Sequence, residues 1–123
     1  MHNRRQLGRW GEEFAAALLE TRGYRIVERN WRCSRMGEID LVVCQEGLPV
    51  LVFVEVRVRR GADYGTPEES VTAAKQARLK LLAQAYVQAH AWEGDWRIDV
   101  VALHLDRNGR VVCQQHIEDA VTG

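Results

Sequence analysis

Two acidic residues stand on neighbouring predicted strands, where charged side chains are unfavourable. Asp40 lies in the segment GEIDLVV and Glu55 lies in LVFVEVRVRR. A tight turn at Gly47-Leu48, or a four-residue loop over 46–49, places Asp40 directly opposite Glu55. Opposed side chains on antiparallel strands have Cβ atoms about 5 Å apart, and like charges there are destabilising. The pair therefore requires a cation, or some other reason, to be retained.

The residue types of this pair suit metal-dependent chemistry on phosphate. Two facing carboxylates can bind a hard divalent cation such as Mg²⁺, together with a backbone carbonyl and water molecules. Such a cation polarises a phosphoryl oxygen and lowers the pKa of a bound water. Arg57 follows on the same strand face as Glu55, where its charge would stabilise a growing negative charge. A chance acid pair, bonded to Arg57 and solvent, explains the spacing equally well, and both interpretations stay open.

A first helix is predicted over residues 4–22, ending at Gly23. Its apolar stripe comprises Leu7, Gly11, Phe14 and Leu18. Glu12 falls at the margin of that stripe and could point inward, whereas Glu13 falls on the far side. Taken alone, Glu12 is better explained as a favourable acid in the first turns of a helix.

Alternation of side chains predicts five strands. They are residues 24–31, the two halves of the hairpin, 96–105 and 111–117. Tyr24, Ile26 and Glu28 should share one face of the first strand. One face of the hairpin should be wholly aliphatic, with Ile39, Leu41, Val43, Val52, Val54, Val56 and Val58. Asp99 lies inside an apolar strand and is expected to pair with an arginine, although a supporting role at the acidic pair is also open.

A second helix is predicted between the hairpin and the last two strands. Thr66, Pro67 and Glu69 form a capping box that opens it, and it should run to about His90. The apolar stripe of this helix comprises Val71, Leu79, Leu82 and Tyr86. Lys75 lies in the middle of that stripe, where a lysine can extend its ammonium to the rim.

Length and composition, with 46% hydrophobic and 28% charged residues, predict a single globular domain over residues 1–123, and the order of its predicted helices and strands indicates the α/β class. No apolar run approaches the roughly 18 residues of a membrane span, and the N-terminus lacks the apolar core of a signal peptide. We therefore expect a cytoplasmic protein without a membrane partner. The net charge is zero, which argues against strong non-specific binding of nucleic acid.

Five segments resemble the YraN-like family of bacterial proteins, in the same order and over nearly the whole chain. They are GEEFAAALLETRGYRIVERNWR, MGEIDLVV, LVFVEVRVR, YGTPEESVTAAK and WRIDVV. This family is similar to archaeal Holliday junction resolvases and to the restriction-endonuclease-like PD-(D/E)xK nucleases. The resemblance implies a restriction-endonuclease-like domain with an αβββαβ core, in which helices flank a mixed sheet.

The resemblance also implies roles for individual residues. Glu12, Asp40 and Glu55 become the acids that hold Mg²⁺ or Mn²⁺, although Ile39 replaces the proline of the motif. The motif lysine falls on Arg57, which cannot release a proton at ordinary pH. Lys75 is the candidate to supply an ammonium group instead.

The function implied by the resemblance is phosphodiester hydrolysis of DNA, including branched or damaged DNA. The similarity to resolvases also suggests a homodimer. Two alternatives remain. The chain could be a non-catalytic module that keeps the nuclease fold to bind nucleic acid or a protein, or its acids could be structural and neutralised by arginines.

Overall fold

The computed structural model describes residues 4–45, 47–61 and 71–121, which form two helices and five strands. In chain order these are α1 (Arg4–Thr21), β1 (Tyr24–Cys33), β2 (Gly37–Gln45), β3 (Val50–Arg60), α2 (Ala73–Ala89), β4 (Asp95–Leu105) and β5 (Val111–Ile117). The strands form one sheet in the order β1-β2-β3-β4-β5. Strands β3 and β4 are parallel and the other neighbours are antiparallel. The predicted α/β class and element order are confirmed.

The two helices cover opposite faces of the sheet. Val52 and Val54 of β3 pack in a core with α1, whereas Leu51 and Phe53 pack in a core with α2. Successive side chains of a strand point to opposite faces, so β3 serves both cores, as its sequence pattern predicts. Neither helix is long and apolar enough to cross a membrane in the part of the chain that the structure describes.

Helix α1 packs through a stripe centred slightly away from the predicted one. Gly11, Ala15 and Leu19 are buried, whereas Phe14 and Leu18 lie half-buried at its flank. The helix ends before Gly23, whose φ of 89° is in the left-handed region that suits glycine. Small residues at the centre of the stripe allow the helix to approach the sheet closely.

Helix α2 begins later than the capping box predicts. Ala73 is its first residue, and Thr72 occupies the N-cap position, where its Oγ1 accepts a hydrogen bond of 3.2 Å from the Lys75 amide. The predicted cap at Thr66 lies outside the described residues. The end at Ala89 agrees with the prediction, and the predicted stripe residues are buried: Val71, Leu79, Leu82 and Tyr86.

Strand β1 contains an irregularity that the alternation does not predict. Its pairing register with β2 shifts between Ile26 and Glu28. Tyr24 and Ile26 pack in the α1 core, whereas Glu28 accepts a hydrogen bond of 3.3 Å from the hydroxyl of Tyr86 in α2. The expectation that Glu28 shares a face with Tyr24 and Ile26 is therefore wrong, because the bulge at Val27 changes the phase of the strand.

The hairpin of β2 and β3 has the predicted register near its turn. Leu41 pairs with Val54 and Cys44 with Leu51, as the placement of Asp40 opposite Glu55 requires. The paired register does not continue beyond Leu41, where the Asp40 carboxylate accepts a hydrogen bond of 2.8 Å from the Val56 amide. The Asp40 side chain thus accepts the hydrogen bond from β3 that the backbone of β2 would otherwise accept.

The face prediction for β2 is partly wrong. Leu41 and Val43 pack in the α1 core as expected, but Ile39 packs in the α2 core. The alternation changes phase at Asp40, whose side chain bonds to the backbone of β3. The two strands therefore diverge at the residue that carries the acid.

Gly11 sets the distance between α1 and β3. A Cβ at this position would lie 2.5 Å from Cγ2 of Val58, whereas a Cβ at Gly8 would meet no heavy atom within 4 Å. We expect Gly11→Ala to lower the free energy of unfolding by about 1–3 kcal/mol through overpacking. Gly8→Ala, the matched control, should raise it by about 0.5–1 kcal/mol through helix propensity. Urea unfolding of both variants measures these changes, and equal stability of the two would contradict the close packing.

Asp99 is fully buried in a hydrogen-bonded network on β4. Its carboxylate accepts hydrogen bonds from Arg97 Nε at 3.0 Å and from the Asp119 amide at 2.9 Å, and it lies 2.7 Å from His116 Nε2. Burial alone would raise the pKa of Asp99, but the bonds from His116, Arg97 and the Asp119 amide hold it below its usual range. The predicted pairing with an arginine is confirmed.

Replacing Asp99 tests how far this network stabilises the fold. We expect Asp99→Asn to lower the free energy of unfolding by about 2 kcal/mol at pH 7, because two charge-assisted hydrogen bonds lose their acceptor charge. A depressed carboxylate pKa stabilises the fold above the unfolded pKa and ceases to do so as pH falls through the folded pKa. The difference should therefore shrink at acidic pH. Urea unfolding at pH 7 and at acidic pH measures this difference in stability. Asp95→Asn, a substitution of an exposed aspartate, is the control.

Candidate active site

A cavity of about 710 Å³ opens between α1, α2 and the diverging strands β2 and β3. Its charged lining residues are Glu12, Arg32, Glu38, Asp40, Glu55, Arg57, Lys75 and Arg78. All five residues proposed from the sequence are in this set, although they come from four different elements. No sequence pattern distinguishes Arg32, Glu38 or Arg78.

Glu55 is the buried carboxylate of the cavity. It is 7% exposed, and its Oε2 lies 3.2 Å from Lys75 Nζ and 3.8 Å from Arg57 Nη1. Both candidates for the motif lysine therefore contact the same carboxylate oxygen. Their positive charges compensate a carboxylate that would be unfavourable alone at this depth. The predicted inward direction of Lys75 is confirmed.

Asp40 is the acid of the cavity whose pKa is raised by burial and by the neighbouring acids. Burial, followed by the charge of Glu55, raises the pKa of Asp40 to about 8; Glu12 and a hydrogen bond with Glu55 contribute to the increase, and the hydrogen bond from the Val56 amide opposes it. Without a bound cation, Asp40 is therefore mostly protonated at neutral pH. The electrostatic conflict expected from facing carboxylates is present in the fold.

Glu12 projects from α1 towards the same cavity. Its Oε1 accepts a hydrogen bond of 2.9 Å from Asn30 Nδ2. Asn30 lies in β1 with a φ of 50°, a left-handed conformation that asparagine tolerates better than most residues. The only sign in the sequence of this contact with Glu12 is the presence of an asparagine, Asn30, within a predicted strand.

The carboxylates form a pair with a more distant third acid. Among residues 4–45, 47–61 and 71–121, no three His, Cys, Asp or Glu side chains come close enough together to hold a metal ion. Asp40 and Glu55 are neighbours, and Glu12 acts on Asp40 through its charge. Carboxylate oxygens are the ligands that Mg²⁺ and Mn²⁺ prefer, and Mg²⁺ usually retains several waters. The donor set thus fits a cation held by Asp40 and Glu55, while Glu12 acts on Asp40 only through its charge.

Asp99 does not take part in this site. Its partners are Arg97, His116 and the Asp119 amide, and none of these residues lines the cavity. The supporting role considered from the sequence is therefore wrong. The network instead connects β4 to the segment that follows β5.

Comparison with known proteins places these residues in a bacterial family. The family model described as "Uncharacterised protein family UPF0102" matches residues 11–103. A UPF0102 protein of Roseiflexus castenholzii is 49% identical over 120 residues, covering 96% of this chain and 94% of the relative. One from Pelotomaculum thermopropionicum is 50% identical over 118 residues, covering 95% and 96%. The matched range includes all five candidate residues.

A solved structure of Pyrococcus furiosus SfsA in complex with Ca²⁺ is a more distant match. It is 14% identical, with a TM-score of 0.34, and the alignment covers 87% of this chain and 58% of that one. A similarity at this level carries no argument about function.

Proposed function

This chain belongs to the uncharacterised protein family UPF0102, and we propose that it is a metal-dependent endonuclease-like protein that hydrolyses phosphodiester bonds of DNA. The observation that carries the proposal is the pair of carboxylates, Asp40 and Glu55, held together where β2 and β3 diverge. The fold retains this pair although burial and like charge raise the pKa of Asp40 to about 8. A divalent cation would offset that electrostatic conflict.

The resemblance to Holliday junction resolvases and other PD-(D/E)xK nucleases supports the same proposal. It implies a helix, three antiparallel strands, a crossover helix and further strands, and this chain has that order. The positions that it assigns to the acids, Glu12, Asp40 and Glu55, all line one cavity. Branched or damaged DNA is the substrate class that it favours.

The three acids that the resemblance assigns have defined parts in the proposed reaction. Asp40 and Glu55 would hold Mg²⁺ or Mn²⁺, and Glu12 would assist through water. When bound, the cation polarises a phosphoryl oxygen and acidifies a water molecule. The Val56 amide orients the Asp40 carboxylate, and Asn30 orients Glu12.

The two cations beside Glu55 have different chemical capacities. Both Lys75 and Arg57 can stabilise negative charge that grows on a phosphate. Lys75 alone can also exchange a proton, because a guanidinium stays charged at ordinary pH. We therefore propose that Lys75 takes the part of the motif lysine and that Arg57 contributes charge.

A nuclease assay on a panel of DNA structures tests this proposal. The protein is incubated with flap, fork, junction and single-stranded DNA, with Mg²⁺, with Mn²⁺ and with EDTA, beside Asp40→Asn. We expect metal-dependent cleavage of at least one structure, abolished by EDTA and by the substitution. Absence of cleavage on every structure, or equal cleavage by Asp40→Asn, would refute the proposed chemistry.

A non-catalytic binding module is the second candidate. It is favoured by one specific observation: Glu55 already contacts Lys75 and Arg57, so its charge is compensated without a metal. This candidate predicts salt-sensitive DNA binding without cleavage. A cytoplasmic location and a homodimer, both expected from the sequence, stay predictions.

A further inference from the structure

Arg78 differs from the other basic residues of the cavity. The remaining lining cations each contact a carboxylate: Arg32, Arg57 and Lys75. Arg78 lines the cavity and is exposed, and within the described ranges it makes neither an ion pair nor a hydrogen bond. An arginine that neutralises no acid among the described residues is suited to an external anion.

The position of Arg78 relates it directly to Lys75. Arg78 follows Lys75 by three positions in α2, so they lie on the same face of the helix and about 4.5 Å apart along its axis. The stem of Arg78 also lies beside Gly37 at the start of β2, since a Cβ on that glycine would be 3.8 Å from Arg78 Cδ. The stem is thus supported while the side chain remains accessible to a ligand.

We propose that Arg78 binds the phosphate adjacent to the scissile one, so that the substrate is a nucleic-acid strand with at least two consecutive phosphates. This inference rests on the proposed function, in which Lys75 faces the scissile phosphate. Residues three apart on a helix have Cβ atoms about 5–6 Å apart, so the two long side chains can contact neighbouring phosphates of one strand. The planar guanidinium suits bidentate contact with phosphate. Because phosphate contacts carry no sequence information, Arg78 should add affinity without base preference.

DNA binding measured without cleavage tests Arg78 independently of catalysis. Fluorescence anisotropy of a labelled single-stranded oligonucleotide is followed over a salt series in EDTA. We expect Arg78→Gln to raise Kd by about 5–10-fold and to reduce the slope of log K against log salt by about 0.7, as for one lost phosphate contact. Arg107→Gln, which removes the same charge from the β4–β5 turn, should change neither quantity. Equal effects of the two substitutions would overturn the proposal.

A comparison of substrates separates the adjacent phosphate from the scissile one. Bis(p-nitrophenyl) phosphate contains a single phosphate, whereas the oligonucleotide contains further phosphates next to the scissile one. We expect Arg78→Gln to reduce kcat/KM for the oligonucleotide by at least about 5-fold more than for the small diester. Equal losses on both substrates would contradict the assignment. If the unmodified protein cleaves neither substrate, the proposed nuclease function fails, and the binding experiment still decides the role of Arg78.

Discussion

Asp40→Asn is expected to abolish metal-dependent cleavage, lowering kcat by at least about 10³-fold. The amide cannot supply the negative charge with which Asp40 would hold a divalent cation beside Glu55. It can still accept the hydrogen bond that the Asp40 carboxylate receives from the Val56 amide. The substitution therefore removes the charge and preserves the local geometry.

Kinetic measurements with increasing Mn²⁺ concentration check this expectation. If the substitution only weakens metal binding, a high Mn²⁺ concentration should restore part of the cleavage rate, because Glu55 can still bind the ion. Glu38→Gln is the matched control, since Glu38 lines the same cavity but is exposed and pairs with Arg32 at 3.5 Å. A full rate from Asp40→Asn, or an equal loss from Glu38→Gln, would refute the assignment.

The same substitution should stabilise the metal-free protein. The raised pKa of Asp40, about 8, means that the folded state keeps a proton that the unfolded state releases at about pH 4. Below about pH 4, Asp40 is protonated in both states and does not lower the free energy of unfolding. As pH rises from about 4 to 8, only the folded state keeps the proton, so the free energy of unfolding declines. Asn has no such dependence. Asp40→Asn should therefore gain about 1–3 kcal/mol at pH 8 and little at pH 4, measured by urea unfolding in EDTA.

Lys75→Met is expected to lower kcat by about 10²-fold, as for the loss of one donor that stabilises developing charge. Its ammonium lies 3.2 Å from Glu55, closer than the 3.8 Å of the Arg57 guanidinium. Met preserves much of the length and apolar character of the stem, so that the packing of α2 changes little. Single-turnover rates separate this loss from a change in substrate affinity.

Comparison of single-turnover rates distinguishes Lys75 from Arg57. Each substitution by Met removes one positive charge beside Glu55, so the larger loss of rate identifies the cation that acts in the chemistry. Intact cleavage by Lys75→Met would exclude Lys75 from the chemistry and leave Arg57 as the cation that acts.

Much of the candidate site follows from the sequence because strand geometry is local. The register of the hairpin depends on its turn, and the predicted pairing holds from Cys44–Leu51 to Leu41–Val54, which brings Asp40 and Glu55 to the end of the paired segment. The inward direction of Lys75 follows from helical spacing and is confirmed by its contact with Glu55. These inferences need a period and a turn, both of which a single sequence contains.

The features that the sequence did not predict depend on contacts between distant segments. The phase change at Asp40 arises because its carboxylate bonds to the Val56 amide, which no alternation pattern encodes. The contact of Asn30 with Glu12 joins β1 to α1. Arg78 was overlooked because an exposed arginine on a helix has no distinguishing pattern until the cavity is known. Side-chain hydrogen bonds between distant elements therefore cannot be predicted from the periodicity of a single sequence.

The different origins of the site residues have a consequence for the order of folding. The β2–β3 hairpin closes a short loop, whereas the parallel pairing of β3 with β4 and the docking of α2 require longer loops to close. Asp40 and Glu55 can therefore meet early, while Lys75 reaches Glu55 only when α2 docks. We therefore expect the acidic pair to form during folding before Lys75 contacts Glu55. A divalent cation that is present during refolding should bind the acidic pair, stabilise the β2–β3 hairpin before α2 docks, and so increase the refolding rate.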